Sequence, residues 1–199
     1  MRDTCPKKSY PQLIVSETIY INFHSGINES VVNKLMAAIA EIVGQTKPGC
    51  LYFLFSSGGG NVDSGIVLYN FLRALPCKVV MHNTGAIDSI ATVIFHAADE
   101  RYATPHSSFL FHGITWTFGA NQTVFKSQLE EIRSGLIECE NKIARIISER
   151  CKLKEEEIRA LFVQGETKNT AFALEKSIIQ NICEPKIPAN AKFFSFTPA

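Results

Sequence analysis

Short, continuous apolar runs alternate along this chain with longer segments in which apolar residues recur at helical spacing. The run CLYFLF (50–55) leads through SSGGGN into the helical segment 62–75, and the run CKVVMH (77–82) leads through NTGAID into SIATVIFHAA. A continuous apolar run is typical of a strand buried on both faces, and such strands belong to parallel sheets. The alternation therefore predicts an α/β fold in which helices cover a mostly parallel sheet of repeated β-α units.

The flanking segments add further elements to this pattern. LIVSETIYINF (13–23) is rich in β-branched and aromatic residues and predicts one or two strands. Asn28 is the predicted N-cap of a helix that ends before Pro48. The other predicted elements are strands in RYAT and SSFLFH (107–112) and helices at 153–163 and 170–179. Because no linker or repeat interrupts the 199 residues, we predict a single domain over 1–199. Its tail, 184–199, is either a strap across the body or an interaction tail.

Composition and charge exclude several classes of function. The formal net charge is +1, which gives no electrostatic basis for binding nucleic acid or an anionic membrane. No apolar run approaches the length of a membrane span, and the first residues carry no apolar leader. The six cysteines show no CxxC or other paired metal-ligand spacing. We therefore expect a cytoplasmic protein with thiols in a reducing compartment, and no metal, cofactor, nucleic-acid or membrane partner.

A long helix is predicted from residue 123 to residue 151. Its apolar residues recur at alternating steps of four and three, at Phe125, Leu129, Ile132, Leu136, Cys139, Ile143 and Ile146. At 1.5 Å per residue this segment spans roughly 42 Å, which is long for a compact domain. The heptad-like step indicates that part of the helix meets another helix. That helix belongs either to the same domain or to a neighbouring subunit.

Polar or glycine-rich features follow three of the predicted strands, at the edge of a parallel sheet where ligands bind. They are the triplet GGG at 58–60, the pair Asp88 and Ser89, and His112 at the end of SSFLFH. Backbone donors, a hydroxyl and an imidazole at one edge are the groups that acyl transfer needs. The sequence therefore predicts a hydrolytic site at this edge.

Each of these features also has a structural interpretation. Asp88 and Ser89 are residue types that commonly cap a helix. The GGG triplet is often a turn or a phosphate cradle, although no GK[ST] follows it, which excludes a P-loop. The remaining histidines carry no comparable context and are interpreted as surface or packed side chains: His24, His82, His96 and His106. The joint occurrence of the three features favours catalysis, with Asp88 capping a helix and Ser89 facing the crevice.

The order of these motifs resembles a known family. FSSGGGNVDSGIVLYN, GAIDSIATVIFHAA and ATPHSSFLFHGI are similar to successive segments of the proteolytic subunit of Clp proteases, within the crotonase-like superfamily. The resemblance implies that Ser89 is the nucleophile and His112 the base. It implies that the N–H groups of Gly60 and Ile90 form the oxyanion hole. It also implies that the long helix is the protruding handle through which two rings of subunits stack.

The chain departs from the family pattern around the serine and at the third catalytic position. Asp88 replaces a small residue before the serine, and Ala91 replaces a glycine after it. The family's aspartate should lie a few residues before AFALEKSII. Glu166 is the nearest carboxylate and is the predicted third catalytic residue, with Asn169 as an alternative. A carboxylate at Asp88 would favour the imidazolium form of His112 and oppose an oxyanion.

The resemblance implies a serine-type peptidase that hydrolyses peptides or unfolded proteins by Ser–His acyl transfer in an oligomeric chamber. Stacked rings of this chain and an AAA+ unfoldase are the implied partners. One alternative is a non-proteolytic homologue, a binding or scaffold ring whose site has drifted. Another is a crotonase-like acyl-CoA enzyme, which would need a carboxylate placed for acid–base work and no serine. Ser89 and His112 argue against that last alternative.

Overall fold

The structure is a computed structural model that describes residues 17–196 of the chain. Its strands are β1 Thr18–His24, β2 Cys50–Ser57, β3 Lys78–Asp88, β4 Glu100–Ala103, β5 Ser108–Leu110, β6 Thr167–Asn169, β7 Asn181–Ile182 and β8 Lys192–Phe196. Its helices are α1 Glu29–Thr46, α2 Val62–Ala74, α3 Ala91–His96, α4 Lys126–Ser148, α5 Glu155–Gln164 and α6 Thr170–Glu175. The part of the predicted strand segment that precedes residue 17 lies outside the described residues.

The strands form one sheet in the order β6-β5-β3-β2-β1-β8. In addition, β4 pairs with the first half of β3, and β7 pairs with β4. Across residues 17–196 every pair of strands is parallel except β5 and β6. In β2, Leu51, Phe53 and Phe55 are buried and alternate with half-buried neighbours. The predicted α/β fold with a mostly parallel sheet is confirmed.

Strand β3 extends beyond its apolar run because it changes partners half-way. Residues 80–83 pair with β4, and residues 86–88 pair with β5. At the junction the buried Asn83 side chain donates to the Ser108 carbonyl (2.9 Å) and accepts from the Gly85 N–H (3.0 Å). The predicted loop NTGAID is therefore wrong. Asn83 supplies the hydrogen bonds that a buried junction needs, so the chain stays extended.

Helix α3 begins later than predicted, and Asp88 does not cap it. Asp88 is the last residue of β3, while Ile90 occupies the N-cap position and makes no side-chain capping bond. The predicted cap is wrong because the chain remains extended to Asp88 and turns only at Ser89. In contrast, the predicted N-cap Asn28 accepts a hydrogen bond from the Val31 N–H at 2.9 Å and starts α1 as expected.

Three arginines bind carbonyl groups at the carboxyl end of α3. Arg73 donates to the Ala97 carbonyl (3.3 Å), while Arg101 and Arg150 donate to the Ala98 carbonyl (3.1 and 2.8 Å). Arg101 is only 3% exposed. Cations at a helix carboxyl end satisfy its free carbonyls and complement its dipole. These contacts fix the position of α3 and hence of the turn that precedes it.

Helix α4 is shorter than the predicted helix 123–151 but remains the longest in the described chain. Its 23 residues span about 35 Å. Its buried residues, Ile143, Ala144 and Ile147, all lie near its carboxyl end. The earlier turns leave apolar side chains such as Leu129 exposed. The first half of α4 is therefore largely exposed to solvent.

The end of the described chain lies along the edge of the sheet. Strand β8 pairs in parallel with β1, Phe196 is buried, and Lys192 forms an ion pair with Glu17 at 2.8 Å. The tail 184–199 was predicted to be either a strap across the body or an interaction tail. Its residues 192–196 lie along β1 as a strap. Within residues 17–196, no helix has both the length and the apolar character that crossing a membrane requires.

Candidate active site

The ends of β2, β3 and β5 and the inner face of α4 enclose a cavity of about 900 Å³. This volume lies within the range of small-ligand sites. Gly60 follows β2, Ser89 and Ile90 follow β3, and His112 follows β5; all four line the cavity. The structure therefore brings together the predicted nucleophile, base and oxyanion donors.

Ser89 lies in a sharp turn with a left-handed backbone conformation, φ 57°. This conformation is uncommon for a residue with a side chain and persists only where neighbours hold it. The Ser89 N–H donates to the Leu110 carbonyl (2.9 Å), and the Ser89 carbonyl accepts from the Thr92 N–H (3.0 Å) and hydroxyl (2.7 Å). Strand β5 and the first turn of α3 thus hold the serine at the cavity wall.

Glycine at position 59 allows the β2–α2 loop to approach this turn. Gly59 has φ 86°, and a Cβ there would lie 2.6 Å from Cβ of Ser89. Gly60 is packed in the same way against the carbonyl of Ile27. The loop is fixed by hydrogen bonds from the Ile27 N–H to the Gly59 carbonyl (2.8 Å) and from the Asn61 N–H to the Ile27 carbonyl (2.8 Å). A side chain at Gly59 would push the loop away from Ser89, and one at Gly60 would push it away from Ile27.

Two backbone N–H groups in this cavity have no internal acceptor. Among the described residues no hydrogen bond uses the N–H of Gly60 or of Ile90. Ile90 is 1% exposed, and because buried donors are almost always paired, its free amide is available for a ligand oxygen; Gly60 is exposed, so its amide is open to solvent or to a ligand. An oxyanion hole needs two such donors.

His112 is half-buried, and its ring is held from one side. Nδ1 lies 2.7 Å from the carbonyl oxygen of Gly113, which can only accept, so Nδ1 carries the proton and Nε2 is left as a base. In the described structure no hydrogen bond joins Nε2 to the Ser89 hydroxyl. Catalytic hydrogen bonds are often long without substrate and shorten in the complex.

Within the described residues, neither Glu166 nor Asn169 makes a hydrogen bond to His112. Glu166 follows the left-handed residue that ends α5, its side chain is 68% exposed, and it pairs with Lys168 at 2.9 Å. The Asn169 side chain caps α6 by accepting from the Phe172 N–H at 2.9 Å. The expected orientation of His112 by Glu166 is therefore corrected: the carbonyl of Gly113 takes that hydrogen bond.

Half-buried Asp88 ends β3 directly before Ser89 but does not itself line the cavity. Burial raises the pKa of Asp88, and the charge of His112 and the backbone of Leu110 oppose this rise. The sequence predicted an effect of Asp88 on His112 but placed Asp88 in a helix cap, whereas it ends a strand. The available signal was the strand period, since buried Ile87 is followed by half-buried Asp88.

The remaining cavity wall is mostly apolar. It includes side chains from α2, α4 and the segment after β5, among them Val62, Phe111, Ile114, Ile132, Leu136 and Phe162. Asp63 and Glu131 are the carboxylates that line it, and in the described chain no lysine or arginine lines it. Nor does that part of the chain contain a cluster of His, Cys, Asp or Glu side chains arranged to hold a metal ion.

Comparison with known proteins gives a consistent match. A family model described as Clp protease matches residues 4–186. The chain is 25% identical over 159 residues to the ATP-dependent Clp protease proteolytic subunit 2 of Pseudomonas aeruginosa, covering 79% of this chain and 77% of the relative. It is 26% identical over 105 residues to proteolytic subunit 2 of Mycolicibacterium paratuberculosis, covering 52% of each. It is 21% identical over 142 residues to proteolytic subunit 2 of Corynebacterium efficiens, covering 70% and 68%.

Proposed function

The chain belongs to the Clp protease family, and from this premise we propose that it is a serine peptidase. Ser89 attacks the peptide carbonyl while Nε2 of His112 accepts the hydroxyl proton. The N–H groups of Gly60 and Ile90 hold the oxyanion, and His112 returns the proton to the leaving amine. Water then hydrolyses the acyl-enzyme by the same route.

One observation carries this proposal: a serine held in a left-handed turn lines the same cavity as two unpaired amides and an imidazole whose Nδ1 is already bonded. A residue that only caps a helix requires neither the strained turn nor the close glycine loop. The predominantly apolar wall suits a peptide with an apolar side chain next to the scissile bond. Peptides or unfolded proteins are therefore the proposed substrates.

The assembly is part of the same proposal. The exposed apolar residues of α4 suit contact with a second copy of this chain, as in stacked rings. An AAA+ unfoldase is the proposed partner that would deliver unfolded substrates. We also propose a cytoplasmic location, in line with Cys50, Cys139, Cys151 and Cys183, which form no disulfide in the described structure.

A second candidate is a non-proteolytic homologue that binds or scaffolds. Two observations favour it: Glu166 is paired with Lys168 at the surface, and no hydrogen bond joins Ser89 to His112 in the described chain. The two candidates differ in whether Ser89 reacts. Reactivity is therefore the quantity to measure.

Labelling with a fluorophosphonate probe, read by intact mass, tests the proposal. We expect the wild type to gain one probe per chain and Ser89→Ala to gain none. Peptidase activity of Ser89→Ala should fall by at least about 10⁴-fold, because the nucleophile is lost. Ser134→Ala, on the exposed surface of α4, is the matched control and should label normally. A folded wild type that never labels would instead support the non-proteolytic homologue.

A further inference from the structure

We propose that Glu140 is a positioning residue for His112 and acts on the imidazole through the peptide group that joins Gly113 to Ile114. Glu140 is a half-buried residue in the second half of α4, beside the segment that follows β5. The inference rests on the proposed peptidase function, because it assigns to the same base a carboxylate that Glu166 does not supply.

One peptide group connects the imidazole to the carboxylate. Its carbonyl oxygen, on Gly113, accepts from Nδ1 of His112 at 2.7 Å. Its N–H, on Ile114, donates to Oε1 of Glu140 at 3.1 Å. The carbonyl and the N–H of a trans peptide point in opposite directions within one plane. The imidazole and the carboxylate therefore lie on opposite sides of this group, and the hydrogen bonds run from one to the other without a break.

Neighbouring contacts hold this peptide group in place. The Gly113 N–H donates to the Phe162 carbonyl at 3.1 Å, which fixes the segment to α5. A Cβ on Gly113 would lie 3.0 Å from Oε1 of Glu140, which is closer than side chains ordinarily pack. Glycine at position 113 therefore allows the carboxylate to lie against the backbone.

The Glu140 carboxylate has no other use among the described residues. There it forms no ion pair, and the Ile114 N–H is its hydrogen-bond partner. Glu166, in contrast, pairs with Lys168 at 2.9 Å. The negative charge of Glu140 is thus available to the peptide group, whereas that of Glu166 is balanced at the surface.

This charge strengthens the hydrogen bond that the imidazole makes. A hydrogen bond to a carboxylate is stronger than one to a neutral acceptor, and consecutive hydrogen bonds polarise one another. The Gly113 carbonyl is therefore a better acceptor for Nδ1–H, above all when Nε2 has taken the Ser89 proton and the ring is a cation. Nε2 then passes that proton to the leaving amine. Nδ1 keeps its own proton throughout, and Glu140 stays ionised.

Kinetics of three variants separate charge from structure. Glu140→Gln keeps an oxygen that can accept from Ile114 but removes the charge, so kcat should fall about fivefold to tenfold with KM unchanged. Glu140→Leu removes the acceptor as well and should lose more. Glu138→Gln removes one charge from the exposed surface of the same helix and should keep the wild-type kcat. Equal kcat values for wild type and Glu140→Gln would overturn the proposal.

Carbonyl NMR tests the polarisation without relying on activity. Glycine labelled with ¹³C at the carbonyl, combined with ¹⁵N isoleucine, selects the three Gly–Ile peptide groups of the chain, which are Gly26–Ile27, Gly65–Ile66 and Gly113–Ile114. In Glu140→Gln the Gly113 carbonyl carbon and the Ile114 amide proton should both move upfield, because both hydrogen bonds weaken. The other two groups serve as internal controls and should not move. An unchanged Gly113 signal would contradict the proposed link.

Gly113→Ala gives a second reading if Glu140→Gln does not fold. It keeps the charge but crowds Oε1 of Glu140, so kcat should again fall with KM unchanged, and a wild-type kcat would overturn the proposal. The outcomes also distinguish this proposal from the peptidase itself. A wild type that neither labels nor cleaves but shows the Glu140-dependent carbonyl shift would refute the peptidase and support the link. A wild type that cleaves as well as Glu140→Gln would refute the link alone.

Discussion

His96 is a completely buried histidine at the end of α3, and its ionisation is coupled to folding. Its Nδ1 lies 2.6 Å from the carbonyl oxygen of Thr92, and Nε2 has no hydrogen-bond partner in the described structure. Burial, together with the positive charges of Arg101 and Arg150, lowers its pKa to about 3. The folded protein therefore keeps this ring neutral at pH values where the unfolded chain protonates it.

This coupling predicts a loss of stability in acid. Because the folded pKa lies below the unfolded value of about 6.5, the unfolded state binds more protons between those values. The free energy of unfolding should then decrease as pH falls below about 6.5, by up to about 1.4 kcal/mol per pH unit from His96. Urea unfolding between pH 7 and pH 4.5 measures this slope. His96→Gln should reduce it by that amount.

His24 provides the matched control, because it is an exposed histidine at the end of β1. The variant His24→Gln should leave the slope unchanged. An equal slope in wild type and His96→Gln would show that acid sensitivity arises elsewhere. The buried His82 is the next candidate, since burial lowers its pKa as well.

At single positions, the sequence identified candidate site residues where a reactive residue type directly follows a predicted strand. Ser89 and His112 each follow a strand, and the structure brings both to one cavity. Glu166 could not be assigned in this way, because its direction depends on the left-handed residue before it and on the ion pair with Lys168. Gly165 is a local signal for a helix end, but the ion pair depends on side-chain placement that no local pattern specifies.

At the scale of elements, strand β3 shows how a polar side chain can extend a strand beyond its apolar run. Periodicity predicted the strand 77–82 and a loop after it, whereas the structure continues the strand to Asp88. Asn83 makes the difference by bonding both β5 and its own strand at the junction. Single-sequence patterns located the α/β alternation well because it depends on burial. They missed the junction because it depends on one side chain's partners.

This explanation predicts that Asn83→Ala disturbs the site as well as the fold. The variant leaves the Ser108 carbonyl and the Gly85 N–H without their side-chain partner. It should cost about 1–3 kcal/mol in the free energy of unfolding. Because β5 also carries the loop with His112, the labelling rate of Ser89 should fall more than stability alone explains. Both quantities are measured on the same preparation, by urea unfolding and by probe kinetics.

Asn22→Ala is the control for that experiment. Asn22 lies half-buried in β1 of the same sheet, and its side chain makes no hydrogen bond within the described residues. Its loss should change unfolding by much less and leave labelling intact. If Asn83→Ala labels at the wild-type rate while it is measurably destabilised, the junction holds the fold together but does not position the base.

At the scale of the whole molecule, the described subunit leaves an apolar surface on its longest helix. Phe125 is 71% exposed, Leu129 48% and Ile137 45%. The neighbouring loop adds Trp116 at 55% and Phe118 at 43%. Apolar side chains grouped in this way are a liability on a single subunit and are typical of an interface. Family membership supports the same conclusion, so the proposed assembly joins copies of the chain through α4.

Leu129→Glu tests this assembly, because a carboxylate in an apolar interface is costly to bury. We expect light scattering to give the wild type a mass that is a multiple of the 22.1 kDa chain, and Leu129→Glu a smaller one. Ser134→Glu introduces the same charge on the same helix at a position outside the apolar group, and it should retain the wild-type mass. If the α4 contact also orders the cavity that this helix lines, Leu129→Glu should label more slowly at Ser89. A wild type that stays at the mass of one chain across micromolar concentrations would contradict the assembly, and the exposed residues of α4 would then require a partner other than a second copy.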